Sequence, residues 1–125
     1  MPTLERRHRR ANLLTEALHY QLLACCEDGQ IHAMVVADED GLALANAGDR
    51  STCDEVAATM AHVGARTPAF SGTLLGPTQR WDVQMTKVTV DGADLLVCAV
   101  GGSAEQRDRQ LARGAQGACR ILRAS

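Results

Sequence analysis

The chain has 125 residues, of which 46% are hydrophobic, and a formal net charge of −2 at neutral pH. This length is typical of one domain, and we expect residues 1–125 to form it. Its wholly apolar runs are far shorter than the roughly 20 residues of a membrane span. No signal-type apolar stretch follows the N-terminal MPTLERRHRR. We therefore expect a cytoplasmic protein with no membrane partner.

Charge is distributed unevenly along the chain. Residues 1–26 carry four arginines against two glutamates, and residues 107–125 carry five arginines against one aspartate. The 80 residues between them hold 12 carboxylates against four basic residues. We interpret residues 1–11 as a basic extension of the first helix, and the two ends would form one basic surface if they pack side by side. Because no aromatic residues are interleaved with the N-terminal arginines and the net charge is negative, we do not expect a nucleic-acid partner.

The first third of the sequence predicts a helix and two strands. From Leu4 to about Cys26 apolar residues recur every three or four positions, as in an amphipathic helix, and the acidic residues and glycine at 27–29 end it. Residues 31–37 are an almost continuous apolar run, typical of a strand that is buried on both faces. Residues 42–47 predict a second strand.

The tetrapeptide Asp38-Glu39-Asp40-Gly41 between these strands fits three kinds of site. A strand that ends in D-x-D-G is similar to the first motif of haloacid dehalogenase phosphohydrolases, which also need a cationic group and magnesium ligands. A calcium loop that starts at Asp38 has Asp49 at its twelfth position, where an EF-hand needs glutamate. A four-residue turn with Gly41 in the left-handed conformation accounts for all four residues. We therefore predict a turn and assign no catalytic residue here.

The middle of the chain predicts a second helix and a third strand. Thr52 and Glu55 have the spacing of a capping box, and the helix they begin runs to about Arg66. Residues 73–75 are a weak strand candidate before Gly76-Pro77.

The last third predicts a hairpin and a final helix. Residues 81–90 alternate between apolar and polar, with a slip at Lys87 that predicts a β-bulge. Asp91-Gly92 is the sequence of a two-residue hairpin turn, and residues 95–100 predict a buried strand. Ser103 with Gln106 forms a second capping box at the start of the last helix. The predicted order is α-β-β-α-β-β-β-α, an α+β fold with a single antiparallel five-stranded sheet.

Cysteine and histidine residues show no recognisable metal-binding pattern. The five cysteines have no C-x-x-C spacing, and the pair Cys25-Cys26 with His32 lacks the second ligand pair of a zinc site. We interpret the cysteines as small buried apolar residues. No serine or cysteine has an obvious base partner, so we assign no catalytic nucleophile. From these patterns we predict neither a metal nor another cofactor.

With this order of elements, the chain resembles the roadblock / dynein light chain family over about residues 12–122. The resemblance lies in IHAMVVADEDGLALANAG as the first hairpin, STCDEVAATMAHV as the central helix, WDVQMTKVTVDGADLLVCAVGG as the last two strands and SAEQRDRQLARGAQGACRIL as the last helix. The chain departs from the family in residues 67–80, which match its third strand poorly. It also has Gly101-Gly102 where many members have Asp-Arg-type residues.

The resemblance implies a roadblock/profilin-like fold and a non-enzymatic adaptor. Family members form dimers by pairing their central helices and joining their third strands, and bacterial members often act beside small Ras-like GTPases. For this chain it implies a homodimer and a Ras-like GTPase partner. The implied dimer seam contains Val56, Met60, Val63 and Leu75, and the implied partner contacts are Asp54, Glu55 and His62.

Three alternatives remain open from the sequence. The apolar side of the central helix (Val56, Met60 and Val63) fits equally well to a role in covering its own sheet. A small-ligand sensor of profilin-like or PAS-like architecture predicts a closed apolar pocket between sheet and helices. A metal-dependent phosphohydrolase would use Asp38 and Asp40.

Overall fold

The computed structural model describes residues 2–76 and 79–124, and side chains from Asn12 onward within these ranges. The elements follow the predicted order, and their bounds are α1 (Pro2–Gly29), β1 (Ala33–Asp38), β2 (Ala43–Gly48), α2 (Arg50–Gly64), β3 (Ala69–Leu75), β4 (Arg80–Val90), β5 (Ala93–Val100) and α3 (Ala104–Arg123). The predicted basic extension, residues 1–11, falls in the part of the chain whose side chains the structure does not describe. No helix in the described part is long and apolar enough to cross a membrane.

The five strands form one antiparallel sheet in the order β2-β1-β5-β4-β3. The continuous apolar run of β1 is explained by its place between β2 and β5, with a helix on each face of the sheet. Val35, for example, lies opposite Asn46 on β2 and Cys98 on β5, and its side chain has no exposed surface. The predicted α+β class and single five-stranded sheet are confirmed.

The helices divide between the two faces of the sheet. α1 and α3 pack side by side on one face, where Leu22 and Met34 are fully buried in a shared cluster. A hydrogen bond of 2.7 Å from Arg113 Nη1 to Asp28 Oδ2 joins the two helices. α2 covers the other face, where Val56 and Met60 pack into a second buried cluster.

The acidic tetrapeptide is the turn of the β1–β2 hairpin, as predicted. Asp38 Oδ1 accepts hydrogen bonds from the N–H groups of Asp40 (2.9 Å) and Leu42 (3.0 Å). Gly41 has a φ of +86° and donates its N–H to the carbonyl oxygen of Asp38 at 3.1 Å. The turn packs against α2, since a Cβ on Gly41 would lie 3.0 Å from Ala58 Cα.

The second and third helices begin at different kinds of cap. The predicted cap at Thr52 is wrong, because α2 starts one turn earlier and its N-cap is Asp49. Asp49 Oδ2 accepts from the N–H (2.9 Å) and the hydroxyl (2.8 Å) of Thr52. The cap of α3 is confirmed, with Ser103 Oγ accepting from the N–H of Gln106 at 3.2 Å.

The strand β4 is regular where a bulge was predicted. Its register with β5 runs without interruption from Val83 to Val90, so the bulge at Lys87 is wrong. The slip in the pattern has another cause: Val83 and Met85 are buried under α2, whereas Val88 packs into the cluster on the α1–α3 face. The register shift in the sheet lies instead between β1 and β2, after Val36.

The pairing of the strands corrects one further prediction and confirms another. β3 starts at Ala69, four residues earlier than predicted, and pairs with β4 along its full length. The Asp91-Gly92 turn is confirmed, because Val90 pairs with Ala93 and both turn residues have positive φ, 51° and 82°.

Candidate interaction surface

The edge of the sheet at β2 is partly covered by the first helix. α1 packs against β2. His19 Nδ1 lies 2.7 Å from the carbonyl oxygen of Asn46, so this nitrogen carries the proton and donates to the edge strand. A capped backbone acceptor and an overlying helix are ways in which proteins prevent strand addition at a sheet edge.

The opposite edge at β3 is open. β3 pairs with β4 on one side and has no neighbouring strand on its other side within the described part of the chain. None of the seven residues of β3 is buried. Unpaired edge strands are surfaces on which another strand can pair.

Four apolar side chains lie beside this open edge on the α2 face of the sheet, and we call them the edge patch: Val63, Phe70, Leu74 and Trp81. All four are partly buried and pack against the core that α2 covers. Leu74 lies directly opposite Trp81 in the β3–β4 register. Trp81 Nε1 donates to Gln79 Oε1 at 3.1 Å, which leaves the apolar ring as the part of the side chain available for contact.

Three residues of the edge patch were not predicted from the sequence. Phe70 lies outside the third strand predicted over residues 73–75, and Leu74 and Trp81, although inside predicted strands, were not assigned to a surface. The signal that would have found two of them is the alternation of Phe70, Gly72 and Leu74, which places these residues on one face of an extended strand. Trp81 joins them through its pairing with Leu74.

The four predicted seam residues occupy different environments. Val56 and Met60 are 0% exposed in the core under α2, so their side chains contact their own sheet. Val63 belongs to the edge patch. Leu75 is 77% exposed at the end of β3, and strand alternation turns it to the face opposite Leu74.

The three predicted partner contacts are all exposed on α2, on two of its flanks. Asp54 lines a groove of about 680 Å³ with Arg50 and Gly41 and therefore faces β2. Glu55 and His62 are seven residues apart, two helical turns, and so lie on one stripe of the helix.

The carboxylates of the turn are not arranged as an active site. The turn's own N–H groups engage Asp38 Oδ1, and the strands that flank Asp38 are antiparallel. The phosphohydrolase motif instead places its aspartates at the end of a parallel strand. Among the described residues no group of three His, Cys, Asp or Glu is placed to hold a metal ion.

Four of the five thiols are buried and held in their protonated form. Burial raises the pKa of Cys26 and Cys98 to about 12 and that of Cys53 to about 11. Burial also raises the pKa of the Cys25 thiol, against the opposing effect of Arg113. Since the thiolate is the nucleophile and the metal ligand, these cysteines act as apolar core residues at neutral pH.

Five cavities in the described part are grooves that open to the surface, with volumes of about 300 to 700 Å³. The smallest lies between the end of α2 and the sheet, and its lining includes the charged residues Glu39 and Lys87. None of these five grooves is the closed apolar pocket that the small-ligand sensor hypothesis predicts.

No protein-family model and no curated protein matches the sequence. Solved structures do match it. A structure described as MglB with tetrameric arrangement has a TM-score of 0.65 at 15% identity and covers 89% of this chain and 91% of its own. The gliding protein MglB of Thermus thermophilus has a TM-score of 0.64 at 14% identity, with coverage of 90% and 93%. A Roadblock/LC7 domain from Streptomyces avermitilis has a TM-score of 0.55 at 16% identity, with coverage of 83% and 96%. The chain therefore has the roadblock fold, as the sequence resemblance predicted.

Proposed function

We propose that this protein is a non-enzymatic, homodimeric regulator of a small Ras-like GTPase, an MglB-like member of the roadblock family that works in the cytoplasm as a single domain. The observation that carries the proposal is the contrast between the two sheet edges: β2 is capped by α1, while β3 is open and bordered by the edge patch. The shared fold with MglB structures and the sequence resemblance to bacterial roadblock proteins support the partner class.

In the proposed dimer, β3 of each copy pairs with β3 of the other, and the two sheets become one. A two-fold axis then brings α2 of one copy beside α2 of the other on the same face, over both edge patches. Val63 contributes to this contact, Val56 and Met60 hold α2 on its own sheet, and Leu75 lies at the opposite face of the seam.

Energetics indicate that the apolar contact and the strand pairing act together. Eight half-buried side chains, four from each copy, contribute roughly 8 kcal/mol if each gains about half of a full burial. The loss of translational and rotational freedom costs roughly 4–15 kcal/mol. The edge patch alone is therefore marginal, and backbone pairing at β3 supplies the rest.

The proposed GTPase contact is the exposed side of α2, with Asp54, Glu55 and His62 as contact residues. We assign no residue of this chain to the chemistry of GTP hydrolysis. The regulator acts by holding the GTPase's own catalytic groups in position, as the family resemblance implies.

The dimer is tested by size-exclusion chromatography with light scattering. Leu74→Lys places a charge in the edge patch, and we expect it to convert a dimeric wild type into a monomer. Leu44→Lys is the matched control, since Leu44 is 38% exposed on the capped edge strand β2. A strictly monomeric wild type at micromolar concentration, or equal loss of the dimer in both variants, contradicts the proposed dimer.

The regulatory role is tested with a Ras-like GTPase encoded by a neighbouring gene. We expect the purified protein to bind this GTPase in one nucleotide state and to change its rate of GTP hydrolysis. Asp54→Ala is expected to weaken binding without changing the dimer. A dimer that binds the GTPase in neither nucleotide state contradicts the regulatory role and leaves the dimer standing.

A further inference from the structure

We propose that an antiparallel charge pairing across the dimer, Glu55 of one copy with His62 and Arg66 of the other, determines how this chain recognises a second copy of itself. The inference rests on the proposed homodimer and specifies its register.

The side chains involved lie on one exposed stripe along α2 and the turn that follows it, which we call the outer stripe: Glu55, Thr59, His62 and Arg66. The spacings of four, seven and eleven residues place them on one side of the helix, over a length of about 16 Å. Arg66 follows the C-cap residue Ala65, two residues beyond the end of α2, and its N–H donates to the carbonyl oxygen of Val63 at 3.0 Å, which holds it close to the end of the helix.

The outer stripe faces the open edge of the sheet. Helical spacing puts Thr59 and Arg66 next to Val63, which belongs to the edge patch beside β3. The opposite flank of α2 faces β2, because Gly41 of the β1–β2 turn contacts Ala58 and Ala61. A second copy that pairs at β3 therefore meets the outer stripe.

The polar side chains of the outer stripe are unpaired as far as the structure describes the chain. In the part of the chain that the structure describes, the side chains of Glu55, His62 and Arg66 form no hydrogen bond and no ion pair. The acidic group is near the start of α2 and the basic groups are near its end. All three are therefore available to a second chain.

This order of charges is self-complementary only in the antiparallel arrangement. A two-fold axis near Thr59 places Glu55 of each copy within one turn of His62 and Arg66 of the other, and the small Thr59 side chain allows the helices to approach at the centre. A parallel arrangement would place Glu55 against Glu55. Symmetry doubles the effect, because one dimer contains two such contacts.

The experiment is a charge-reversal cycle on the dimer dissociation constant, measured by sedimentation equilibrium at low ionic strength. We expect Glu55→Arg to raise the dissociation constant by about tenfold or more, because it creates two like-charge contacts. The variant with His62→Glu and Arg66→Glu is expected to do the same. Combining all three changes restores the attraction, and we expect a return to within about threefold of the wild type.

The matched control is Asp54→Arg, which makes the same change of charge one residue earlier on the flank that faces β2. We expect it to leave the dissociation constant within about twofold of the wild type. Salt screens exposed charges, so the difference between Glu55→Arg and the wild type should shrink as ionic strength rises. Circular dichroism of each variant verifies that α2 remains folded.

The possible outcomes distinguish a failure of the charge pairing from a failure of the homodimer. A dimeric wild type whose dissociation constant is unchanged by Glu55→Arg, equally raised by Asp54→Arg, or not restored in the triple variant contradicts the charge pairing alone. A wild type that stays monomeric overturns the charge pairing together with the homodimer.

Discussion

Single residues decide which backbone groups near β2 remain available for hydrogen bonds to another chain. Asp38 engages two N–H groups of the β1–β2 turn through one carboxylate oxygen, and His19 caps the carbonyl of Asn46. The role of Asp38 was readable from the sequence, because aspartate and a following glycine form local turns. The role of His19 was not, because its partner is 27 residues away and no spacing indicates that contact.

A backbone clash distinguishes two glycines that share a positive φ. Gly48 has a φ of +93°, and a Cβ there would clash with the carbonyl oxygen of His32, whereas a Cβ on Gly92, with a φ of +82°, meets nothing within 4 Å. We expect Gly92→Ala to lower the free energy of unfolding by about 1 kcal/mol and Gly48→Ala by about 3 kcal/mol or more. Urea denaturation measures both, and similar losses in the two variants would contradict the close approach of β1 and β2.

Thiol labelling tests the burial of the cysteines. The raised pKa values of Cys26, Cys53 and Cys98 keep these thiols protonated at pH 8, and they are also shielded from reagents. Cys119 is the partly exposed cysteine. We expect one fast-reacting thiol in the native protein, which Cys119→Ser removes, and reaction of the others only on unfolding. Any fast thiol that remains in the Cys119→Ser variant would show that the core is open.

At the level of elements, the sequence predicted existence and order better than ends. α2 was placed correctly but one turn short, because Thr52 with Glu55 imitates a capping box while the true cap, Asp49, directly follows β2. β3 was the least predictable strand, since its exposed residues lack the apolar density by which buried strands are recognised. β4 appeared to contain a bulge because the helices that cover its two faces change along its length.

The cap of α2 predicts a pH-dependent contribution to stability. The hydrogen bond from the Thr52 N–H, then that from its hydroxyl, lowers the pKa of Asp49. The charged cap therefore stabilises the fold above the pKa of an unfolded aspartate, near 3.8, and this contribution is lost as pH falls through the lower folded-state pKa. We expect Asp49→Asn to be less stable than the wild type at pH 7, with the difference vanishing toward pH 2.

A neutral cap on the last helix provides the control for that measurement. Ser103→Ala removes the cap of α3 at a cost of about 1 kcal/mol, and because serine does not titrate, its loss should be the same at pH 7 and pH 3. Urea midpoints at both pH values give the comparison. A difference between Asp49→Asn and the wild type that does not change with pH would assign the effect to geometry and contradict the role of charge.

At the scale of the whole molecule, helices cover the two faces of the sheet unequally. α1 and α3 cover one face, and His19 of α1 caps one carbonyl of β2, whereas α2 alone leaves the edge patch beside β3 half-exposed. The sequence resemblance implied a seam near α2 and β3. Periodicity could not separate Val56 and Met60, which are core residues, from Val63, because an apolar side of a helix looks the same whether it meets its own sheet or a second chain.

Thermal unfolding tests the assembly without any assumption about the partner. Because dimerisation stabilises only the folded state, the unfolding temperature of an associating protein rises with its concentration. We expect this rise in the wild type and in Leu44→Lys, and we expect Leu74→Lys to unfold at a temperature that does not depend on concentration. The Leu74→Lys monomer should still unfold cooperatively, since both buried clusters lie within one chain. A concentration-independent wild type would mean that the open edge at β3 is not where this chain meets its own copy.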